Sequence, residues 1–247
     1  MTAAPETSNA TLGRLAGGAY VSLVITGIFA LAYAPKKLGL YSDDPQAVYN
    51  AISEATFFYS ASVVTELVCY ALFAIVGVFL YRLFSSRAPS LSLIMLVLVA
   101  ASVPISYIAM AQKVEILDII RGSGDFAALA ASERPAAVAE MMNAYSAYTG
   151  MAEIFWGLWL IPFGMLVLKT RYIPRLLGLL LVLGGLGYIA NDFGPMLFPA
   201  YKGTMAYDIA SMPSSFGEIG SALWLLIFGA KKDETAAREV LRERGEI

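Results

Sequence analysis

The chain predicts an all-α integral membrane protein: a bundle of six transmembrane helices, N-in/C-in, with short extracytoplasmic amphipathic helices. Hydrophobic residues make up 58% of its 247 residues and charged residues 15%. Its mean hydropathy is +0.67, far from the composition of soluble domains. Several stretches exceed the roughly 18 apolar residues that suggest a transmembrane helix. They lack the alternation of barrel strands, and backbone groups in lipid must be satisfied within the segment, so helices are required.

The predicted spans are 12–34, 56–84, 89–110, 145–168, 173–194 and 214–230, within one domain covering 1–230. The first resembles a signal peptide near Ala30-Leu31-Ala32 and Ala32-Tyr33-Ala34, but its apolar run from Leu15 is too long for a signal core. It therefore reads as a span. Asp43-Asp44-Pro45 starts an amphipathic helix over 46–57. Residues 111–144, broken at Gly122-Ser123-Gly124, read as short helices over the outer mouth of the bundle. Pro104 and Pro162 kink spans three and four. Gly13, Gly17, Gly184, Gly185 and Gly187 permit close helix contact. Residues 231–247 form a charged cytoplasmic tail, with Glu234 four residues before Arg238 on a short solvated helix. Arg14-Leu15-Ala16-Gly17 and Arg175-Leu176-Leu177-Gly178 open spans one and five, a weak echo of an internal repeat.

Lysine and arginine placement sets the orientation. One end of the bundle collects Arg14, Arg82 and Arg87, then Lys169, Arg171 and Arg175, then the five basic residues of the tail. The other end has Lys36, Lys37, Lys113, Arg121, Arg134 and Lys202. Both termini are therefore cytoplasmic, and the location expected is the bacterial cytoplasmic (inner) membrane, crossed several times.

Composition also excludes chemistry. The chain has no histidine, which removes histidine-ligated zinc or haem, Ser-His-Asp triads and imidazole relays. Its one cysteine, Cys69, excludes an intrachain disulfide and cysteine-cluster metal sites, and reads as mid-membrane packing. A net charge of -2 gives no reason to expect nucleic acid. No phosphate-cradling glycine loop is present. No cofactor is expected, and no catalytic residue is assigned.

Three glutamates carry the functional signal. Glu66, Glu153 and Glu218 each precede an uncharged run ending in Arg82, Lys169 or Lys231. Helical rise places them roughly 20–24 Å from the inner boundary of a core about 30 Å thick, in its outer half. Asn191 and Asp192 on span five fall at a similar height, about 25 Å above Arg175. Ser62, Glu66 and Tyr70 share a helix face, as do Ser146, Thr149 and Glu153, and Ser214, Glu218 and Ser221. Facing lipid would expose charge to hydrocarbon, so these stripes face the bundle interior. Trp156, Trp159 and Trp224 follow on the same helices, either as pocket walls or as packing. Lys113 is the one basic residue near this level, and it either joins the site or reaches the surface. Two readings stay open: a proton- or cation-linked site, or glutamates that hydrogen-bond neighbouring helices and hold register.

The run Arg171-Tyr172-Ile173-Pro174-Arg175-Leu176-Leu177-Gly178 carries a family resemblance. With the preceding GLWLIPFGMLVLK, the opening RLAGGAYVSLVITGIFA and the closing FGEIGSALWLLIFG, it resembles the bacterial domain of unknown function 4386 family from about Arg14 to Gly229. The resemblance implies a multi-span membrane protein without an assigned activity, with Glu218 at an acidic position of the last helix. Family members often have a histidine near the start of span four, where this chain reads Asn143-Ala144-Tyr145.

The leading expectation is a protein that binds or transports a small solute, proton or cation through an acidic cavity. Its site residues are Glu66, Glu153, Glu218, Asp192, Asn191, Tyr70 and Trp156, with any metal undefined. The alternative is a non-catalytic accessory or sensor subunit with an unidentified protein partner. An intramembrane enzyme using paired carboxylates on a lipid ranks third, for want of an activated nucleophile.

Overall fold

The computed structural model describes residues 9–230, so the predicted tail at 231–247 lies outside the described residues. These residues fold as helices, with no strand among them. Five helical stretches are long and apolar enough to cross a membrane: Asn9–Leu38, Thr56–Phe84, Pro89–Arg121, Arg134–Thr170 and Arg175–Leu197. A sixth apolar helix, Met212–Phe228, has 17 residues.

The first stretch is compound: α1 (Asn9–Gly27), a π-helical turn (Ile28–Tyr33) and α2 (Ala34–Leu38). Pro35 has no N–H for the carbonyl four residues back, that of Leu31. The Tyr41 hydroxyl donates to that carbonyl at 3.4 Å. Gly39, with φ 66°, ends α2 in the left-handed conformation that favours glycine. Next, α3 (Pro45–Glu54) begins as the sequence predicts, with the Asp44 side chain accepting from the backbone N–H of Gln46 at 2.9 Å. α4 (Thr56–Phe84) has the predicted bounds.

The segment at 111–144 is different from the expectation. α5 (Pro89–Arg121) continues past residue 110 until Gly122, at φ 63°, stops it. After one 3-10 turn, α6 (Arg134–Thr170) begins at Arg134-Pro135 and runs unbroken through the fourth span. Proline fits the first helical turn, where its missing N–H costs no bond, and the alanine-rich run after it favours helix. The short mouth helices are thus extensions of two long ones. α7 (Arg175–Leu197) follows, then a 3-10 turn, α8 (Met205–Ala210) and α9 (Met212–Phe228).

Six helices close into a ring in which each packs on two neighbours, in the order α1, α4, α5, α6, α7, α9 and back to α1. Glycines set three of the seams. Gly157 and Gly164 of α6 meet Gly185 and Gly178 of α7, while Gly184 lies against Ser214. Gly17 lies directly on the Leu226 backbone, where α1 meets α9. A methyl group at Gly17 would collide with main chain, which cannot rotate away. Gly17→Ala is therefore expected to lower stability by about 1–3 kcal/mol, the usual range for overpacking. Thermal unfolding in detergent checks this, and an unchanged transition would contradict the tight seam. Gly18, where a methyl would meet only the tip of Leu226 at 3.9 Å, is the matched control.

The core divides along the bundle axis. Leu12, Phe84, Val167, Ile173 and Ala230 belong to one cluster, so alternate helix ends meet at one end of the ring. Arg14, Arg82, Arg87, Lys169, Arg171 and Arg175 sit on these ends. At the opposite end, Val48 and Ile52 of α3 pack with Met110, Ile116 and Val138 and roof the α4–α5–α6 side. On the side bounded by α1, α7 and α9 a cavity remains.

Candidate functional site

The cavity measures about 250 Å³ and is walled by α1, the π-helical turn, α4, α6, α7 and α9. Its floor is aromatic. The Trp159 ring stacks on Phe163 at 5.3 Å and 7°, meets the edge of Phe73 at 5.2 Å, and lies 6.1 Å from Tyr20. Tyr70, Trp156 and Tyr188 stand around it, with Tyr70 and Trp156 rings 5.9 Å apart. The Trp156 indole N–H is buried without a hydrogen-bond partner.

Glu218 is the carboxylate in this wall. The Tyr20 hydroxyl donates to its Oε2 at 2.9 Å, and no lysine or arginine lines the cavity. Glycine spacing brings the two side chains together: Gly13, Gly17 and Tyr20 share one face of α1, and that face packs against α9. Cys69 also lines the cavity, its thiol 3.8 Å from the Leu23 carbonyl oxygen.

Glu66 lies elsewhere. It is completely buried and fully partnered: Lys113 Nζ sits 2.6 Å from Oε2, while Tyr70 and Tyr145 hydroxyls donate to Oε1 at 2.9 and 2.5 Å. Lys113 is buried as well, 4.2 Å from the Tyr145 ring centroid, and Tyr59 donates to its carbonyl at 3.2 Å. Of the two routes open to Lys113, the structure takes the inward one. The resulting cluster joins α4, α5 and α6, and Tyr70 connects it to the cavity wall.

Glu153 and Asp192 lie one helical turn beyond the cavity-lining Trp156 and Tyr188, away from the aromatic floor. Glu153 on α6 and Asp192 on α7 are near enough for their like charges to repel. Asp192 Oδ2 is buried with no hydrogen-bond partner. Asn191 has a different task. Its amide donates to the Tyr207 carbonyl at 2.9 Å and accepts from the Tyr201 hydroxyl at 3.1 Å, fastening the segment between α7 and α9.

The predicted residues therefore divide among four places. Glu218, Tyr70 and Trp156 border the cavity, Glu153 and Asp192 stand beside it, and Glu66 and Asn191 serve separate hydrogen-bond networks. Trp224 points away and donates to the Tyr172 carbonyl at 3.3 Å. Tyr20 and Tyr188 were not singled out by the sequence, because an uncharged aromatic inside an apolar run looks like ordinary packing. The signal available was their spacing from Gly17 and Gly184. Among the described residues no group of three or more acidic or cysteine side chains is arranged to hold a metal ion.

Comparison with known proteins agrees with the run around Arg171–Gly178. The family described as "Domain of unknown function (DUF4386)" matches residues 15–229. The chain belongs to this family. A protein of Archaeoglobus fulgidus, titled "Uncharacterized protein", is 35% identical over 97 residues, covering 39% of this chain and 55% of that protein. The chain thus spans about half the length of the curated relative it matches. No solved structure matches.

Proposed function

We propose that this family member binds a small solute or cation inside the membrane, with Glu218 as the charged group of the site. The observation that carries this reading is one carboxylate in a cavity walled by five helices, without a basic partner there. Glu218 is half-buried, and a charge in an apolar setting without a counter-charge is costly, so its retention there points to function. Tyr70 and Trp156 border the ligand. Glu153 and Asp192 stand one turn away, where a solute entering from the outer side would pass. Glu66 and Asn191 support the scaffold.

The reading includes six spans, with α9 as the sixth. Its 17 residues are at the lower limit of about 17 that reaches across a bilayer. Basic residues at one end support N-in, C-in topology in a cytoplasmic membrane. Exposed apolar side chains occur on all six ring helices, including Ile25, Val68, Ile94, Met151, Leu183 and Leu223. A surrounding lipid shell accounts for that distribution, so it gives no separate support to an accessory or sensor subunit.

The test is thermal stabilisation of purified protein by a panel of small neutral solutes, inorganic cations and organic cations. A ligand at one hundred times its Kd stabilises by about 2.7 kcal/mol, and Glu218→Gln is expected to remove most of that gain. Equal stabilisation of the variant and the parent protein would refute Glu218 as the site's charge.

A further inference from the structure

We propose that the ligand is a small organic ammonium ion, held by the aromatic walls and countered by Glu218; this rests on the cavity being a binding site. Several features of the cavity point to that class. Six aromatic side chains line one space: Tyr20, Tyr70, Phe73, Trp156, Trp159 and Tyr188. Aromatic faces attract cations, tryptophan most strongly, and quaternary ammonium groups are recognised by such cages. Glu218 supplies the formal counter-charge, and its second oxygen accepts no hydrogen bond among the described residues.

The other ligand classes fit less well. An anion would meet a carboxylate and no basic side chain. Calcium takes six to eight oxygen ligands, and magnesium a near-ideal octahedron of oxygens, usually one or two carboxylates with phosphate oxygens and several waters. This wall offers one carboxylate among aromatic and aliphatic groups. A neutral apolar molecule would cover the half-buried Glu218 without compensating its charge. Size narrows the choice further, since about 250 Å³ is just under the roughly 300–1,000 Å³ of pockets for drug-sized ligands. The occupant is a compact cation with a small substituent.

The chain contains its own reporter. Cys69 is its single cysteine and lines this cavity. Attack of the thiolate on a methanethiosulfonate forms a mixed disulfide and releases methanesulfinate, so each modification event marks access to the cavity. The experiment compares the trimethylammonium-ethyl and sulfonato-ethyl reagents on the full chain in detergent. Each rate is divided by that reagent's rate with the unfolded chain, which removes differences in intrinsic reactivity.

The expected result is at least a tenfold preference for the ammonium reagent. Choline is expected to slow labelling, whereas its neutral isostere 3,3-dimethylbutan-1-ol is not. Glu218→Gln should remove most of the preference. Trp156→Leu, which leaves the carboxylate in place, should weaken choline protection severalfold and covers the case in which the first variant fails to fold. Equal normalised rates, or equal protection by the isostere, overturn the ammonium assignment and leave the cavity as a binding site. Cys69 is 4% exposed, so labelling is read together with thermal unfolding: absence of labelling in the folded chain, with no rise in its melting temperature on adding choline or the solutes of the panel above, overturns both.

Discussion

Replacing Lys113 with methionine is expected to destabilise the protein by about 3–5 kcal/mol, the usual consequence of stranding one member of a buried ion pair. The pair qualifies because both side chains are almost wholly excluded from solvent, at 2% exposure for Lys113 and 0% for Glu66. In the folded protein the ammonium contributes a contact of 2.6 Å to Glu66 and lies over the Tyr145 ring. Methionine keeps the bulk of the stem and removes the charge. Glu66 then retains two tyrosine donors but has no cation, and must remain ionised at high cost or take up a proton. Glu66→Gln alone strands Lys113 in the same way. The double variant Glu66→Gln/Lys113→Met removes both charges and is expected to recover much of the loss. Thermal unfolding of the parent, both singles and the double in detergent gives the coupling directly. A stable Lys113→Met variant, or a double variant whose loss equals the sum of the singles, would contradict a structural ion pair. Together with the Glu218→Gln ligand test, this cycle separates the two readings of the intramembrane glutamates: Glu66 should follow stability, whereas Glu218 should follow ligand.

This separation explains why the grouping of the glutamates could not be read from the sequence. Position along a helix follows from 1.5 Å of rise per residue, and α4 has the bounds that its apolar run implies. Rotation about the helix axis and the identity of the neighbour are long-range facts. Glu66 and Lys113 are 47 residues apart, and nothing local in either segment states that α4 lies beside α5 with these faces opposed. The long extensions of α5 and α6 were obscured for another reason. Hydropathy falls where a helix leaves the lipid, although its backbone can continue until a residue such as Gly122 breaks it. The π-helical turn at Ile28–Tyr33 gave one clue only, Pro35, which equally suits the end of a helix. Ring closure was partly legible, since Gly13 and Gly17 marked a close-packed face, while the identity of α9 as its partner depended on the fold.

Trp159→Ala is the second change with a large expected effect, a stability loss of about 3–5 kcal/mol, as for truncating a buried aromatic side chain. Trp159 is the largest of the fully buried side chains and touches three aromatic neighbours from α1, α4 and its own helix. Close packing leaves Tyr20, Phe73 and Phe163 limited room to collapse into the space, so their lost contacts are not replaced. Trp159→Phe retains a ring and most of the apolar area, and is expected to lose much less. The loss also reaches the site. Tyr20 leans on Trp159 while its hydroxyl donates to Glu218, so removing the indole frees the tyrosine that fixes the carboxylate's direction. The cavity floor deepens toward the end that carries Arg14 and Arg82. Larger tetraalkylammonium ions should therefore gain affinity relative to choline in Trp159→Ala, despite its lower melting temperature. Melting curves measure the first effect, and the order of cation protection at Cys69 measures the second. If stability falls while that order stays unchanged, Trp159 belongs to the core below the cavity and is not its floor.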